Sequence, residues 1–295
     1  MRWTCRRRTL CLLPLVLLFL TASVSAEVCK GSKVLRTELT KYDAYALLSQ
    51  DTQQLAIRIH MPFGQPACPH LLGEFEYMLC FDPVNRVPLW AAYRLRAEDV
   101  ISARRLDAFR SDPRLSDEEN PSCADYVSTG YARGHLVPRD DMNRSAAAQA
   151  NTFFLSNMAP QIGAFNGGIW SRLERLIREY AVSYGEVFVF TGSILEDPSL
   201  RLPSGRVAIP TRFYKIVLRR SETGSPSALA VVLPHQPFQP PTDAHVHGGR
   251  AADAYLSAHL ASIATVERMT GLHLFSDFDS EPLKRSVAAE LWPRN

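Results

Sequence analysis

Asp125-Tyr-Val-Ser-Thr-Gly-Tyr-Ala-Arg133-Gly-His135-Leu-Val-Pro138 is the stretch on which the fold turns. If residues 131–136 are extended, side chains two apart share a face, so Arg133 and His135 point the same way. Gly134 between them lets another chain or a ligand approach the backbone closely. A guanidinium beside an imidazole suits a phosphodiester. The first binds the oxygens bidentately, and the second, neutral near pH 7, takes a proton from water. Alone, Arg-Gly-His reads equally well as a structural histidine hydrogen-bonded near a turn, so its surroundings must decide.

Thirty-one residues after His135 comes Asn166-Gly-Gly-Ile-Trp170-Ser-Arg-Leu-Glu174-Arg-Leu-Ile-Arg-Glu-Tyr180. Ile169, Leu173, Leu176, Ile177 and Tyr180 form an apolar helical stripe. Asn166 stands at the start of this helix, where it would serve either as an N-cap or as an oxygen ligand for a hard cation such as Mg²⁺. Glu174 follows eight residues on, about 80° round and roughly 12 Å along a regular helix. It is placed to hold water around such an ion, not to share the ion directly with Asn166.

Outward from this centre, alternation marks strands. Phe75, Tyr77, Leu79 and Phe81 alternate, as do Val87, Leu89, Ala91, Tyr93 and Leu95, and Asp82-Pro-Val-Asn85 supplies a tight turn between them. Val187–Phe190, Phe213–Leu218 and Ala228–Leu233 read as buried strands of a central sheet. Residues 97–122 are a polar connection with a short helix, and residues 234–243, with four prolines in ten, are a loop. Leu256, Leu260, Ile263 and Val266 recur at helical spacing over 251–269, with Gly271 as C-terminal cap. Leu55, Ile57, Ile59 and Met61 alternate as one more strand. The mixed order predicts an α+β fold.

Taken together, Asp125-Tyr126, Gly130-Tyr131, Arg133-Gly-His135-Leu, Phe154-Leu-Ser-Asn157, Pro160-Gln161, Asn166, Trp170 and Leu173-Glu174 resemble, in order and spacing, the DNA/RNA non-specific endonuclease family, the group that contains endonuclease G and the Serratia-type nuclease. Pro88-Leu-Trp90-Ala-Ala-Tyr93, Thr191-Gly192, Ile209-Pro-Thr-Arg-Phe-Tyr-Lys215, Glu267 and Thr270-Gly-Leu272 extend the likeness over roughly residues 68–280. The resemblance implies a mixed, mainly antiparallel central sheet with flanking helices and a ββα-metal finger as active site. By that likeness His135 is the general base, and Asn166 is the sole direct protein ligand of Mg²⁺ (or Mn²⁺). Arg133 stabilises charge on the phosphorane-like transition state and Glu174 orders water around the ion. An upstream arginine, Arg105 in preference to Arg104, completes the set. Arg139 and Arg172 are the expected substrate-binding cations. Cleavage would leave a 5′-phosphate and a 3′-hydroxyl. Where the family usually reads Asp-Arg-Gly-His, this chain has Ala132.

Non-specific cutting needs phosphate-binding cations on one face and no base-reading helix. Arg104, Arg105, Arg110, Arg133, Arg139, Arg144, Arg172, Arg175 and Arg178 all flank the expected site in sequence. Two other readings were weighed. Asp243-Ala-His245-Val-His247, with His235 or His259, would suit a zinc hydrolase. An inactive nucleic-acid-binding protein on the same scaffold would explain the likeness without chemistry, although N-capping alone would accept Ser or Asp in place of Asn166.

The ends of the chain set compartment and charge. Arg2, Arg6, Arg7 and Arg8, the apolar run Leu10–Leu20 and Val24-Ser25-Ala26 read as a signal peptide over 1–26, hence a secreted or periplasmic protein starting at Glu27. Removing those four arginines turns the net charge from +3 to −1, so bulk charge says nothing about nucleic acid. Of six cysteines, Cys29, Cys68, Cys80 and Cys123 remain, spaced as disulfide staples with three pairings open. The domain plan is residues 27–66 as an unassigned extension and 67–290 as the nuclease domain. Expected partners are DNA and/or RNA as substrate, no stable membrane association once the leader is removed, and a homodimer as candidate assembly. At 46% hydrophobic and 21% charged, the composition excludes collagen, coiled coil and wholesale disorder.

Overall fold

The computed structural model describes residues 26–220, 225–238, 244–277 and 281–294. Its centre is a seven-stranded antiparallel sheet in the order β1 (His70–Gly73), β2 (Met78–Asp82), β3 (Val87–Arg96), β6 (Glu186–Ile194), β7 (Arg212–Arg220), β8 (Pro226–Pro234) and β9 (Leu260–Ala261). A separate two-stranded ladder joins β4 (Tyr131–His135) to β5 (Met158–Ile162). The helices are α1 (Arg36–Ala46), α2 (Gln50–His60), α3 (Ala146–Asn151), the single turn α4 (Gly163–Phe165), α5 (Ser171–Tyr184), α6 (Ala244–Ala258), α7 (Ile263–Thr270) and α8 (Glu281–Arg285). The α+β class and the mainly antiparallel sheet agree with the sequence.

Strict alternation buries both faces of the sheet. Leu79, Ala91, Tyr93, Val189, Phe213 and Val231 pack against Leu173, Leu176 and Ile177 of α5. The intervening residues Met78, Trp90, Ala92, Phe190 and Ile216 pack against Ala56 of α2 and Ile263 and Val266 of α7. The β2–β3 turn forms because Asp82 Oδ1 accepts from the backbone N–H groups of Val84 (2.9 Å) and Asn85 (3.1 Å). That local bond sets the register before any distant contact is needed.

Three sequence expectations need correction. Residues 50–60 form α2, not a strand: Ser49 caps it by accepting from Thr52 N, and the buried residues Ala56 and His60 are four apart, a helical spacing. The helix expected over 251–269 breaks into α6 and α7, because Leu260 and Ala261 pair with Val231 and Ala230 on the sheet edge and Ser262 starts a new helix by accepting from Thr265 N. Gly271 does cap α7, in the left-handed conformation at φ 72°. Between residues 97 and 122 only Ala97–Asp99 makes a helical turn.

The four cysteines form Cys29–Cys123 and Cys68–Cys80. The first fastens the N-terminal segment beside β4. Asp43 of α1 pairs at 2.7 Å with the fully buried Arg110, whose guanidinium also reaches Ala108 O, Ala150 O and Asn151 Oδ1 and stacks on Phe154. Segment 27–66 is thus tied to the main body by a disulfide, a buried ion pair and the packing of α2. Most of the expected leader, residues 1–25, lies outside the described residues, among which no helix is long and apolar enough to cross a membrane.

Candidate active site

The β4–β5 ladder, the turn α4 and helix α5 form one continuous finger laid on the α5 side of the sheet. Its register pairs Arg133 with Pro160 and His135 with Met158, which sends Arg133 and His135 to one side and Ala132 and Gly134 to the other. Gly134 is required here: a Cβ at this position would collide with the Gln161 side chain. The chain leaving His135 is clamped by Asn157, which accepts from Val137 N (3.0 Å) and donates to Val137 O (3.0 Å) and Thr152 O (2.8 Å). Further on, Asp141 binds the Tyr93 hydroxyl (2.7 Å) and Arg178 (2.8 Å), fixing the turn Arg139–Met142 to the sheet and to α5.

Between α4 and α5 the backbone makes a π turn, Asn166–Trp170, interrupted at Gly168 (φ −100°, ψ −109°). Such i→i+5 turns are rare and gather at functional sites. Asn166 already has helical dihedrals, and neither α4, the π turn nor α5 has a side-chain cap. The capping role is therefore excluded, and the Asn166 carboxamide has no hydrogen-bond partner among the described residues. The π turn also replaces the regular helix assumed between Asn166 and Glu174, so the expected separation does not apply.

His135, Asn166, Glu174, Arg133, Arg105 and Arg139 converge on one cavity of about 290 Å³, which Asp140 also lines. The His135 ring lies edge-on to Phe153 (4.9 Å between centroids) and tilted to Phe109 (5.8 Å), and its Nε2 is buried without a hydrogen-bond partner. Burial first, and then the charges of Arg105, Arg139 and Arg133, push its pKa down to about 3, so the ring is neutral at physiological pH. The Arg133 guanidinium stacks 3.9 Å from the Phe109 centroid, and burial lowers its pKa. Burial raises Glu174 to about 7 against the opposing charge of Lys215, and burial in turn lowers Lys215. Asn166, Glu174 and Asp140 offer oxygen donors of the kind a hard divalent cation takes. No group of three or more His, Cys, Asp or Glu side chains forms a closed metal cage among the described residues.

Other expectations are not met. Arg172 does not line the cavity; it binds Asp253 (2.8 and 2.9 Å) and Glu179 (2.9 Å). Arg110 is buried, Arg178 is on Asp141, and Arg144 faces Glu76 and Asp99 at 3.7 Å. Of the nine arginines only Arg105, Arg133 and Arg139 line the cavity, while Arg110, Arg144, Arg172 and Arg178 are taken up by carboxylates elsewhere. For zinc, Asp243 and the side chains of His245 and His247 lie outside the described residues. His235 has both ring nitrogens engaged, with Pro210 O at 2.7 Å and Ile162 N at 2.8 Å.

Two groups that the sequence reading quoted only as part of the resemblance, with no role, stand out here. Lys215 is buried under the finger, donating to Leu136 O and Thr191 Oγ1 with its ammonium 4.4 Å from the Trp170 centroid. Its signal was a charge in mid-strand between the buried Tyr214 and Ile216. Gln161, opposite Ala132, is fully buried with neither amide atom hydrogen-bonded.

Comparison with known proteins agrees with this geometry. The profile of the DNA/RNA non-specific endonuclease family matches residues 57–281. The mitochondrial nuclease EXOG of Xenopus laevis is 31% identical over 221 residues, which are 70% of this chain and 58% of the frog protein. Human mitochondrial endonuclease G is 29% identical over 222 residues, covering 71% of each chain. Nuclease C1 of Cunninghamella echinulata var. echinulata is 28% identical over 244 residues, 78% of this chain and 92% of the fungal one. Among solved structures, the crystal structure of the EndoG/EndoGI complex superposes with a TM-score of 0.66 at 29% identity, covering 76% of this chain and 92% of that chain. The expectation of a secreted or periplasmic protein is corrected by these relatives, since those from frog, human and fission yeast are mitochondrial nucleases. By sequence profile and by structural likeness, the chain belongs to the DNA/RNA non-specific endonuclease family.

Proposed function

We propose that this chain is a metal-dependent endonuclease that hydrolyses phosphodiester bonds of DNA and/or RNA without reading base sequence. The observation that carries this reading is the convergence of a neutral, unpartnered His135 Nε2, an uncapping Asn166 carboxamide and three arginines on one cavity.

Arg133 and Arg139 bind the non-bridging oxygens of a backbone phosphate and fix it against the finger. Arg105, held by Asp107, adds a third positive charge that strengthens as negative charge builds up on the phosphorus oxygens. His135 takes a proton from a water molecule aimed at phosphorus. Its lone pair is free because the ring is neutral, and the arriving phosphate offsets the surrounding arginines, which raises the basicity of the ring when it is needed. Asn166 and, through water, Glu174 would hold a divalent cation, Mg²⁺ or Mn²⁺, which when bound supplies charge stabilisation at the scissile phosphate and leaving oxygen. Lys215 balances Glu174 from beneath and keeps the base of the finger rigid. None of these groups touches a base, hence the lack of sequence preference.

Incubation of the purified protein with supercoiled plasmid and with RNA, with Mg²⁺, with Mn²⁺ and with EDTA, tests this. Nicking and then linearisation at scattered positions, abolished by EDTA, is expected. Full activity in EDTA, or a protein inert towards both polymers with either metal, overturns it.

A further inference from the structure

The catalytic cavity opens into a second cleft of about 660 Å³, more than twice its size, and the two share Arg105, Arg133 and Asn166. The outer wall of this cleft comes from a segment that lies outside the family match. Glu27–Lys30 runs antiparallel to 109–111, with Val28 bridging Arg110, Cys29 N bonding Phe109 O (2.9 Å) and Ser111 N bonding Glu27 O (2.9 Å). The Cys29–Cys123 disulfide pins it. The Glu27 carboxylate is held by Cys123 N at 3.1 Å, whereas the ammonium of Lys30 is exposed and has no ion-pair partner among the described residues. The floor is made by Tyr131 and Ala132.

We propose that this cleft is a second substrate subsite, which takes the nucleotide next to the scissile phosphate along the same strand. Its flanking phosphate lies against Lys30 and its base against Tyr131. The volume supports this, since a cleft more than twice the size of the catalytic cavity admits a base and sugar as well as a phosphate. A cation beside an aromatic ring at the edge of a groove is how strands are held without sequence readout. The N-terminal segment, stapled by its disulfide, thus lengthens the footprint on the strand. This inference rests on the nuclease reading above.

The test compares kcat/KM on thymidylyl-thymidine, which has only the scissile phosphate, with kcat/KM on a single-stranded DNA 20-mer. In Lys30→Glu the advantage of the 20-mer over the dinucleotide is expected to shrink about tenfold. In Lys30→Ala the slope of log affinity for the 20-mer against log salt is expected to fall by about 0.7, the value of one lost phosphate contact on a single strand. An unchanged advantage and slope, or equal losses on both substrates, overturns the subsite. A wild-type protein that cleaves neither these substrates nor an RNA 20-mer in Mg²⁺ or Mn²⁺ overturns the nuclease reading instead. Because Lys30 is on the surface, a thermal melt matching wild type verifies the fold of each variant.

Discussion

The two sheets of this molecule are built on opposite plans. In the seven-stranded sheet both faces are sealed by apolar side chains, and Trp90 and Phe190 stack at its middle with ring centroids 5.2 Å apart. The two-stranded ladder has only five residue pairs and carries polar groups at almost every position that matters: Arg133, His135, Gln161 and, just past its end, Asn166. Several of these are left without partners. The large sheet holds the fold; the small one, fixed to it by Asp141 and Lys215, holds groups that cost stability. The unmet hydrogen-bonding capacity of His135 and Gln161 lies in the finger, on a rigid platform that makes it tolerable, although Tyr214 carries one such atom in the large sheet.

If this division is right, damage to the two regions separates into different measurements. The largest effect is expected for His135→Ala, which should lower turnover by about 10³- to 10⁴-fold while DNA binding and melting temperature stay near wild type. Loss of binding in parallel with turnover, read by fluorescence anisotropy, would make His135 a structural residue. Trp90→Ala should do the reverse, lowering stability by about 4 kcal/mol in urea unfolding while the folded fraction keeps its kcat.

The third effect is a pH dependence at the contact between α2 and the large sheet. His60 accepts from Arg94 N at Nδ1 (3.1 Å) and donates from Nε2 to Phe75 O (2.9 Å), and burial lowers its pKa from 6.5 to about 4. Below pH 6.5 the unfolded chain takes up a proton that the folded ring refuses. Stability should therefore fall between pH 6.5 and 4 and level off beneath, by about 3 kcal/mol in total. His60→Gln should flatten this limb of the urea-midpoint profile, and an unchanged limb assigns it to other groups. The smallest effect belongs to Asn166→Ala, which should raise the Mg²⁺ concentration for half-maximal activity by roughly ten- to a hundredfold without altering the melt. Wild-type Mg²⁺ dependence would remove Asn166 from the ion.

The same contrast governs what could be read from the sequence. Strands β2 and β3 are legible because burial on alternate sides writes itself into the chain with period two, and β6, β7 and β8 because burial on both faces leaves apolar runs. Segment 50–60 misled because Leu55, Ile57 and Ile59 happen to alternate, while its helical signal, the Ser49 cap with Ala56 and His60, is mostly polar. In the finger, His135, Arg133, Asn166 and Glu174 are singled out by motif spacing, and Arg105, upstream of it, by the family resemblance alone. Which cations stay free to meet a phosphate does not show in that spacing. Arg110 and Asp43 are 67 residues apart, and Arg172 and Asp253 are 81 apart; no local pattern reveals that such pairs will meet. The orphaned amide of Gln161 was hidden for the same reason.

The π turn at Asn166–Trp170 has a consequence for how this lineage tolerates change in length. A turn closed i→i+5 holds one residue more than its α-helical counterpart, and here Gly167 and Gly168 fill the slack. Deleting either would let the chain rewind into ordinary helix and swing the Asn166 carboxamide by about 100°. Substitutions in α5 can be absorbed one side chain at a time, whereas the loss of a single codon upstream would leave every active-site residue present and one of them facing elsewhere.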